Sequence, residues 1–586
     1  MPNFLLSVKK LLKKRLERYT FFIGSGVDRK GVVMTFTVEK PVSGGNAAPA
    51  WNRTLALAAA QKSPRIRFLP GRYDFYPEHC TRLYRYFANN DCGVKTVALY
   101  LSGLEDVEIA GEDTLLFFHG RISPLIAENC SRLHISGIEV DFEESFVSDA
   151  EIVRTENGFS HVKLRGRYRL DGGRLHFMED EYDNRSGVLQ LRPFDPAAGE
   201  MPHDADCTVI PNRGIRQENG LVLLPAVFDA PALTIKHEDR LSPGIVLSDC
   251  SGVTVENVTI RHAGGMGLLA QFCRDAVLEK VHVVPAAGRV ISSSDDALHF
   301  AECRGRISVR NCRAAGMLDD ALNVHGIYRP VTIPWPREDF LWLETGHFQQ
   351  AGLPGARPGD VLQFVKPASG RPCGTLEVLQ SKEVTPERTQ IFFSGDLPEE
   401  LRSGDGARVL DPGQARLEVS GCDFAPLRGR GVLASGLEEV RIADCRFHTS
   451  GAAVFIAGGC RGWFETGPVR HAVVENNLFD NCCYLRHSST RETVSVYPDL
   501  EELEPDFYYH GLVEVKHNRF ISQRRAQIAV LSAERVEVSG NTLEINDRYP
   551  VSPPDPDIYS FAEPDSRSII FKHVGTAEIR DNDGFF

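Results

Sequence analysis

No stretch of this 586-residue sequence is long and apolar enough to span a bilayer. No C-x-x-C pair occurs among its 14 cysteines, and no His/Cys spacing suits a zinc site. Positive charge is also short: 66 Lys and Arg against 79 Asp and Glu leave a formal charge of −13, whereas a nucleic-acid groove needs a basic face. No nucleic-acid, membrane, metal or cofactor partner is therefore expected. The opening MPNFLLSVKKLLKKRLERY places its apolar run before its basic cluster and lacks a small-residue cleavage site, the reverse of a secretory leader. That points to the cytoplasm, with export by another route left open. Residues 1–33 read as a basic extension ahead of a domain that starts near Met34.

The cysteines are scattered among hydrophobic positions, and adjacent Cys482 and Cys483 cannot readily bridge to each other, so buried reduced thiols are expected. With 42% hydrophobic and 25% charged residues, the composition is that of an ordinary globular chain with a large core.

What the sequence has is a repeat. Val440, Ile442, Cys445 and Phe447 are followed in register by Ala472, Val474, Asn477 and Phe479, then by Val513, Val515, Asn518 and Phe520. Val536, Val538, Asn541 and Leu543 continue the series, and Ala577, Ile579 and Asn582 close it. The same unit stands earlier at Val253, Val255, Val258 and Ile260, and again at Ala276, Leu278, Val281 and Val283. Val107 and Ile109 answer to Leu133 and Ile135. Alternation puts one face of each short strand inside, and a fixed step stacks the strands into a solenoid. The Cys or Asn at each corner has a structural purpose, since a stacked turn leaves backbone groups that an inward amide or thiol can satisfy.

The fold expected is all-β: a right-handed parallel β-helix carrying inserted small antiparallel, barrel-like β units. Residues 34–142 begin the solenoid, with a capping helix within 49–63. Residues 143–245 and 327–412 break the repeat and contain turn signals such as DGG, RPGD and SGDG, which marks them as the inserted units. Residues 246–326 form the central rungs and 413–586 the C-terminal rungs.

The central rungs hold two acidic pairs, Asp295-Asp296 and Asp319-Asp320, each followed by Ala-Leu. Their one-rung spacing, with strands about 4.8 Å apart, gathers the carboxylates at one patch of the wall. Two carboxyl groups at such a distance are the machinery of glycoside hydrolysis. They stand roughly 5 Å apart in retaining enzymes and roughly 6.5–9.5 Å in inverting ones, so spacing leaves both open. Crowding favours keeping one of them protonated, as a general acid requires. Asp319 and Asp320 both reach substrate only at a bend, because neighbours on a regular strand face opposite ways. Asp295 reads as structural. His299, Asn323 and His325 are candidates for holding sugar hydroxyls. In GCRGWFETGPVR, Trp463 suits stacking on a sugar ring and Glu465 suits accepting hydroxyl hydrogens.

These segments resemble the bacterial α-1,3-galactosidases of glycoside hydrolase family 110, through PGRYDFYPE, FFHGRISP at 117–124, DALHF at Asp296, GMLDDALNVHG at 316–326 and WFETGPVR at 463–470. The resemblance implies a β-helix with inserted β domains and metal-independent, inverting hydrolysis of terminal α-1,3-linked galactose. It also implies Asp296 as general acid and Asp319 with Asp320 as base. The expected partner is a galactose-terminated glycan, either branched of blood-group-B type or linear. A homodimer is compatible with the sequence, which does not fix the oligomeric state. A polygalacturonase-like hydrolase is the nearest rival, but neither its N-x-D leading into the acidic pair nor its later R-I-K is found. A lyase or epimerase and a noncatalytic glycan-binding β-helix are the others.

Overall fold

The computed structural model describes residues 34–42, 44–179, 182–183, 187–237, 240–335, 339–410, 415–486, 492–551 and 567–586; the expected basic extension over 1–33 lies outside them. The body is a parallel β-helix in which one 31-stranded sheet wraps into successive rungs. The rung register read from the sequence is the observed one: Val440 pairs with Ala472, Ala472 with Val513, Val513 with Val536 and Val536 with Ala577.

Alternation fills the interior. Val253, Val255, Val258 and Ile260 are buried, and the next rung adds Ala276, Leu278, Val281 and Val283 in the same register. Inward phenylalanines stack along the axis, with ring centroids 5.6 Å apart for Phe424–Phe447, 5.3 Å for Phe447–Phe479 and 4.8 Å for Phe479–Phe520. These lie in the favourable range for aromatic pairs. The open end is capped by the helix Ala48–Ala58, whose buried Trp51 stacks on Phe68 at 5.8 Å.

The corners explain the recurring Cys and Asn. Each follows a residue in the left-handed region: Asp249 (φ 52°) precedes Cys250, Phe272 (φ 54°) Cys273, Asp444 (φ 56°) Cys445, Asn476 (φ 55°) Asn477 and His517 (φ 56°) Asn518. That conformation turns the chain inward and leaves the next N–H without a strand partner. The side chain of the following rung supplies it. Cys445 N–H donates to Asn477 Oδ1 at 2.9 Å, Asn477 N–H to Asn518 Oδ1 at 2.9 Å, Asn518 N–H to Asn541 Oδ1 at 2.9 Å and Asn541 N–H to Asn582 Oδ1 at 3.1 Å. None of the 14 cysteines is in a disulfide.

The two interruptions differ in form. The first holds a seven-stranded antiparallel sheet, from Val147–Glu156 to Ala232–Lys236, which keeps Thr208–Pro211 and Arg216–Glu218 as edge strands among the described residues. It is thus a sheet where a barrel-like unit is expected. The second is a closed six-stranded barrel between Arg329–Thr332 and Gly406–Leu410, packed on buried Leu341, Leu343, Leu362, Phe364 and Ile391.

Candidate active site

The two acidic pairs precede strands Leu298–Ala301 and Leu322–Ile327, which pair in parallel with Leu298 beside Leu322 and His299 beside Asn323. Carried back two residues, this register sets Asp296 against Asp320, and Ala297 N–H donates to Asp320 O at 2.9 Å. The 24-residue step therefore relates the stacked pair, while Asp319 lies over Asp295. Asp295 and Asp319 sit in bends, which is how adjacent aspartates avoid pointing to opposite faces. One carboxylate oxygen from each of Asp296, Asp319 and Asp320 lies within 4.8 Å of the others.

Each carboxylate has its own surroundings. Asp320 is buried and held by Arg430, with Nε to Oδ1 at 2.9 Å, Nη2 to Oδ2 at 2.9 Å and the backbone N–H to Oδ1 at 2.8 Å. Asp319 keeps 27% side-chain exposure and receives Arg240 Nη2 on Oδ2 at 2.9 Å. Asp295 is buried beneath, bound by Lys236 at 2.6 Å and Arg240 Nε at 2.7 Å. Among the described residues Asp296 faces no cation at hydrogen-bond distance; its Oδ1 accepts Asp320 N–H at 3.0 Å and its Oδ2 lies 2.7 Å from His299 Nδ1.

Electrostatics separates the three. Burial, reinforced by the nearby Asp319 charge, raises the Asp296 carboxyl well above its ordinary value, only partly offset by Arg240. Burial also pushes Asp320 up to about 7, against the pull of Arg430 and with the push of Asp319 and Asp296. For Asp319, burial is outweighed by Arg240, Arg428, Arg430 and Lys236, and its pKa is lowered. A carboxylic acid, a carboxylate and a group poised near neutrality thus share one patch. That is the separation of acid and base roles expected of paired catalytic carboxyls.

Six of the eight sequence-predicted residues line one cavity of about 220 Å³: Asp296, Asp319, Asp320, Asn323, Trp463 and Glu465. Glu465 arrives on the short strand Glu465–Thr466, which pairs antiparallel with the end of Leu322–Ile327. Its Oε1 accepts Asn89 Nδ2 at 2.8 Å and Asn323 Nδ2 at 3.4 Å. Burial is outweighed by His325, His299 and Arg430, so its pKa is lowered. Trp463 is 40% exposed, with Arg240 over its ring at 5.0 Å and the His347 ring at 4.0 Å.

The other two are corrected by the structure. His299 and His325, read as holders of sugar hydroxyls, have fully buried side chains behind the aspartates and present no surface to a substrate. Strand alternation sends Leu298 and Phe300 into the core and leaves His299 on the outer face beside Asn323, where Asp296 and His325 pack over it and close it off from the cavity. Sequence reasoning missed Arg430, Arg240, Lys236 and Asn89. Arg430 had a signal: the triplet Arg430-Gly431-Val432 occupies the rung place of Asp320-Ala321-Leu322.

Three clustered carboxylates are also a donor set for a cation. Here Asp319 Oδ2 and both oxygens of Asp320 already accept guanidinium N–H groups, and Arg240 and Arg430 would repel a divalent ion. The set does not fit a resident metal.

The segment 341–406, within the closed barrel, matches the family model described as GLAA-B beta-barrel domain II. Along most of its length the chain is similar to alpha-1,3-galactosidase A of Shewanella woodyi, 26% identical over 533 residues, covering 87% of this chain and 85% of the relative. It is similar to an alpha-1,3-galactosidase B of Phocaeicola vulgatus, 29% identical over 525 residues, covering 83% and 84%. Among solved structures, it is similar to the mannuronan C-5 epimerase AlgE6 A-module of Azotobacter vinelandii, with a TM-score of 0.35, 10% identity and coverage of 91% and 95%. An exopolygalacturonase from Thermotoga maritima gives a TM-score of 0.34, with 9% identity and coverage of 94% and 92%. The relatives that the chain resembles over most of its length, at 23–29% identity, are named alpha-1,3-galactosidases, the family its motifs resemble.

Proposed function

We propose that this protein is an exo-acting glycoside hydrolase that removes terminal α-1,3-linked galactose from glycans by inversion. Asp296 is the general acid, and Asp319 with Asp320 the base that activates water. The observation that carries the reading is the contrast between Asp296, raised and without a cation, and Asp319, held low by Arg240, within 4.8 Å.

Asp319 Oδ1 has no hydrogen-bond partner among the described residues, and Asp320 Oδ2 accepts only Arg430 Nη2. These two lone pairs orient the attacking water. As the glycosidic bond breaks, the Asp296 proton passes to the leaving oxygen, and the water proton passes to the base. Trp463 and Glu465 hold the terminal sugar, and the modest cavity favours one residue at a chain end. The resemblance supplies inversion, although the carboxyl oxygens stand nearer the roughly 5 Å of retaining pairs than the wider spacing of inverting ones.

The test is an activity screen on aryl α-galactoside, linear α-1,3-galactosyl oligosaccharides and branched blood-group-B-type glycans. Release of galactose from the α-1,3-linked ends is expected. Binding without turnover on every substrate would leave a glycan-binding protein in its place.

A further inference from the structure

Behind Asp296 runs a buried chain of contacts that ends on the backbone. Asp296 Oδ2 lies 2.7 Å from His299 Nδ1, His299 Nε2 lies 2.9 Å from His325 Nε2, and His325 Nδ1 lies 2.8 Å from the Gly326 carbonyl oxygen. A carbonyl only accepts, so His325 carries hydrogen on Nδ1 and, when neutral, has a bare Nε2. Asn89 Nδ2, 3.5 Å from that nitrogen, agrees with an acceptor there. His299 must then carry hydrogen on Nε2, and, being neutral because burial holds its pKa down to about 4, it has a bare Nδ1. A bare Nδ1 at 2.7 Å needs a donor, and among the described residues the one facing it is a protonated Asp296.

We propose that His299 and His325 are positioning residues that hold one proton on Asp296, because the Gly326 carbonyl fixes the tautomer of both rings. This rests on reading Asp296 as the acid. Removing the proton leaves two sets of lone pairs facing across 2.7 Å, or two bare Nε2 atoms across 2.9 Å. Either arrangement is a buried unmade hydrogen bond. The proton has two other seats: His299, which as an imidazolium would donate to both Asp296 and His325, and His325, where Glu465 Oε1 is 3.8 Å away. Burial holds the pKa of His299 down to about 4 and lowers that of His325, which keeps the proton at Asp296. The charged groups facing the chain are Asp295, Asp319, Asp320 and Arg240 at Asp296; Glu465, Asp319, Asp320 and Arg240 at His299; and Glu465 and Glu302 at His325. In turnover the proton leaves Asp296 for the departing oxygen, and the strained chain draws a replacement from solvent.

Two measurements on the full chain test this. Nitrogen-15 spectra of histidine-labelled protein, assigned by comparison with His299→Gln and His325→Gln, should show two neutral rings. Hydrogen should sit on Nε2 of His299 and on Nδ1 of His325, unchanged from pH 6 to 8. Hydrogen on His299 Nδ1 would overturn the proposal whether or not the protein is a galactosidase. In His325→Gln the lock is broken and His299 can donate to an ionised Asp296. The alkaline limb of kcat/KM on an α-1,3-galactosyl disaccharide should then move about one pH unit lower, a tenfold loss on that limb, while the limb on an aryl galactoside stays in place. A uniform loss with an unmoved limb means a merely structural role. Wild-type protein inactive on every galactoside would sink the acid assignment instead.

Discussion

Asp320 and Arg430 occupy the same place on successive rungs, and their side chains meet in a two-point ion pair with both N–O distances at 2.9 Å. The inserted barrel lies between them in sequence, so the insertion leaves the wall at one partner and returns at the other. Asp320 is thus anchored at the point where the barrel joins the solenoid.

Arg430→Gln should move the acidic limb of the pH profile. Arg430 lowers the Asp320 pKa against burial, so its loss raises that pKa further. The base must be ionised to work, and the acidic limb of kcat/KM should therefore shift to higher pH. Folding should also suffer, since breaking a buried pair from one side costs about 3–5 kcal/mol. A limb that stays in place would show that Asp320 takes no proton during turnover.

The rungs were legible because alternation and a constant step write themselves into the order of apolar residues. Val513 over Val536 needs no structure to be seen. Asp296 and the Asp319-Asp320 pair were legible for the same reason. What escaped notice lay where the repeat is broken: Arg430 is hidden behind the barrel, and Lys236 and Arg240 come from the exit of the first inserted sheet, where no periodicity marks them. Strand alternation puts His299 and His325 on the outer face with Asn323, and their burial comes from what packs over them, Asp296 on His299 and Asn89 and Glu465 on His325, contacts that no period in the sequence marks.

Asn518→Ala tests the corner ladder. Its amide accepts Asn477 N–H at 2.9 Å and donates to the Val474 carbonyl at 2.8 Å, so truncation leaves buried backbone groups unpaired. A loss on the order of 1–3 kcal/mol and a lower Tm are expected, with kcat of the folded fraction unchanged. Unchanged melting with a large drop in kcat would place the active face elsewhere.

Chelation should leave activity unaltered. The guanidinium groups of Arg240 and Arg430 already neutralise Asp319 and Asp320, and proton transfer between carboxyls and water accounts for the chemistry. Assays with and without EDTA decide this. Loss of activity restored by calcium would make the three aspartates a metal site and favour a lyase-like reaction.

The division of labour among the carboxyls is tested by leaving group and stereochemistry together. Asp296→Asn removes the one raised carboxyl of the three clustered aspartates that lacks a cation partner, so a disaccharide, whose leaving oxygen needs a proton, should lose on the order of 10²–10⁴ in kcat. An aryl galactoside leaves as a weakly basic phenolate and should lose far less. Asp320→Asn and Asp319→Asn act on the water and should slow both substrates alike. Asp319→Asn also tests whether the free Oδ1 matters beyond its charge. Water attacking from the face opposite the departing sugar gives β-galactose first, which proton NMR reads before mutarotation. α-Galactose first would mean retention, the outcome the short carboxyl spacing allows, with one aspartate as nucleophile. Equal losses for Asp296→Asn on both substrates would remove it from the acid role.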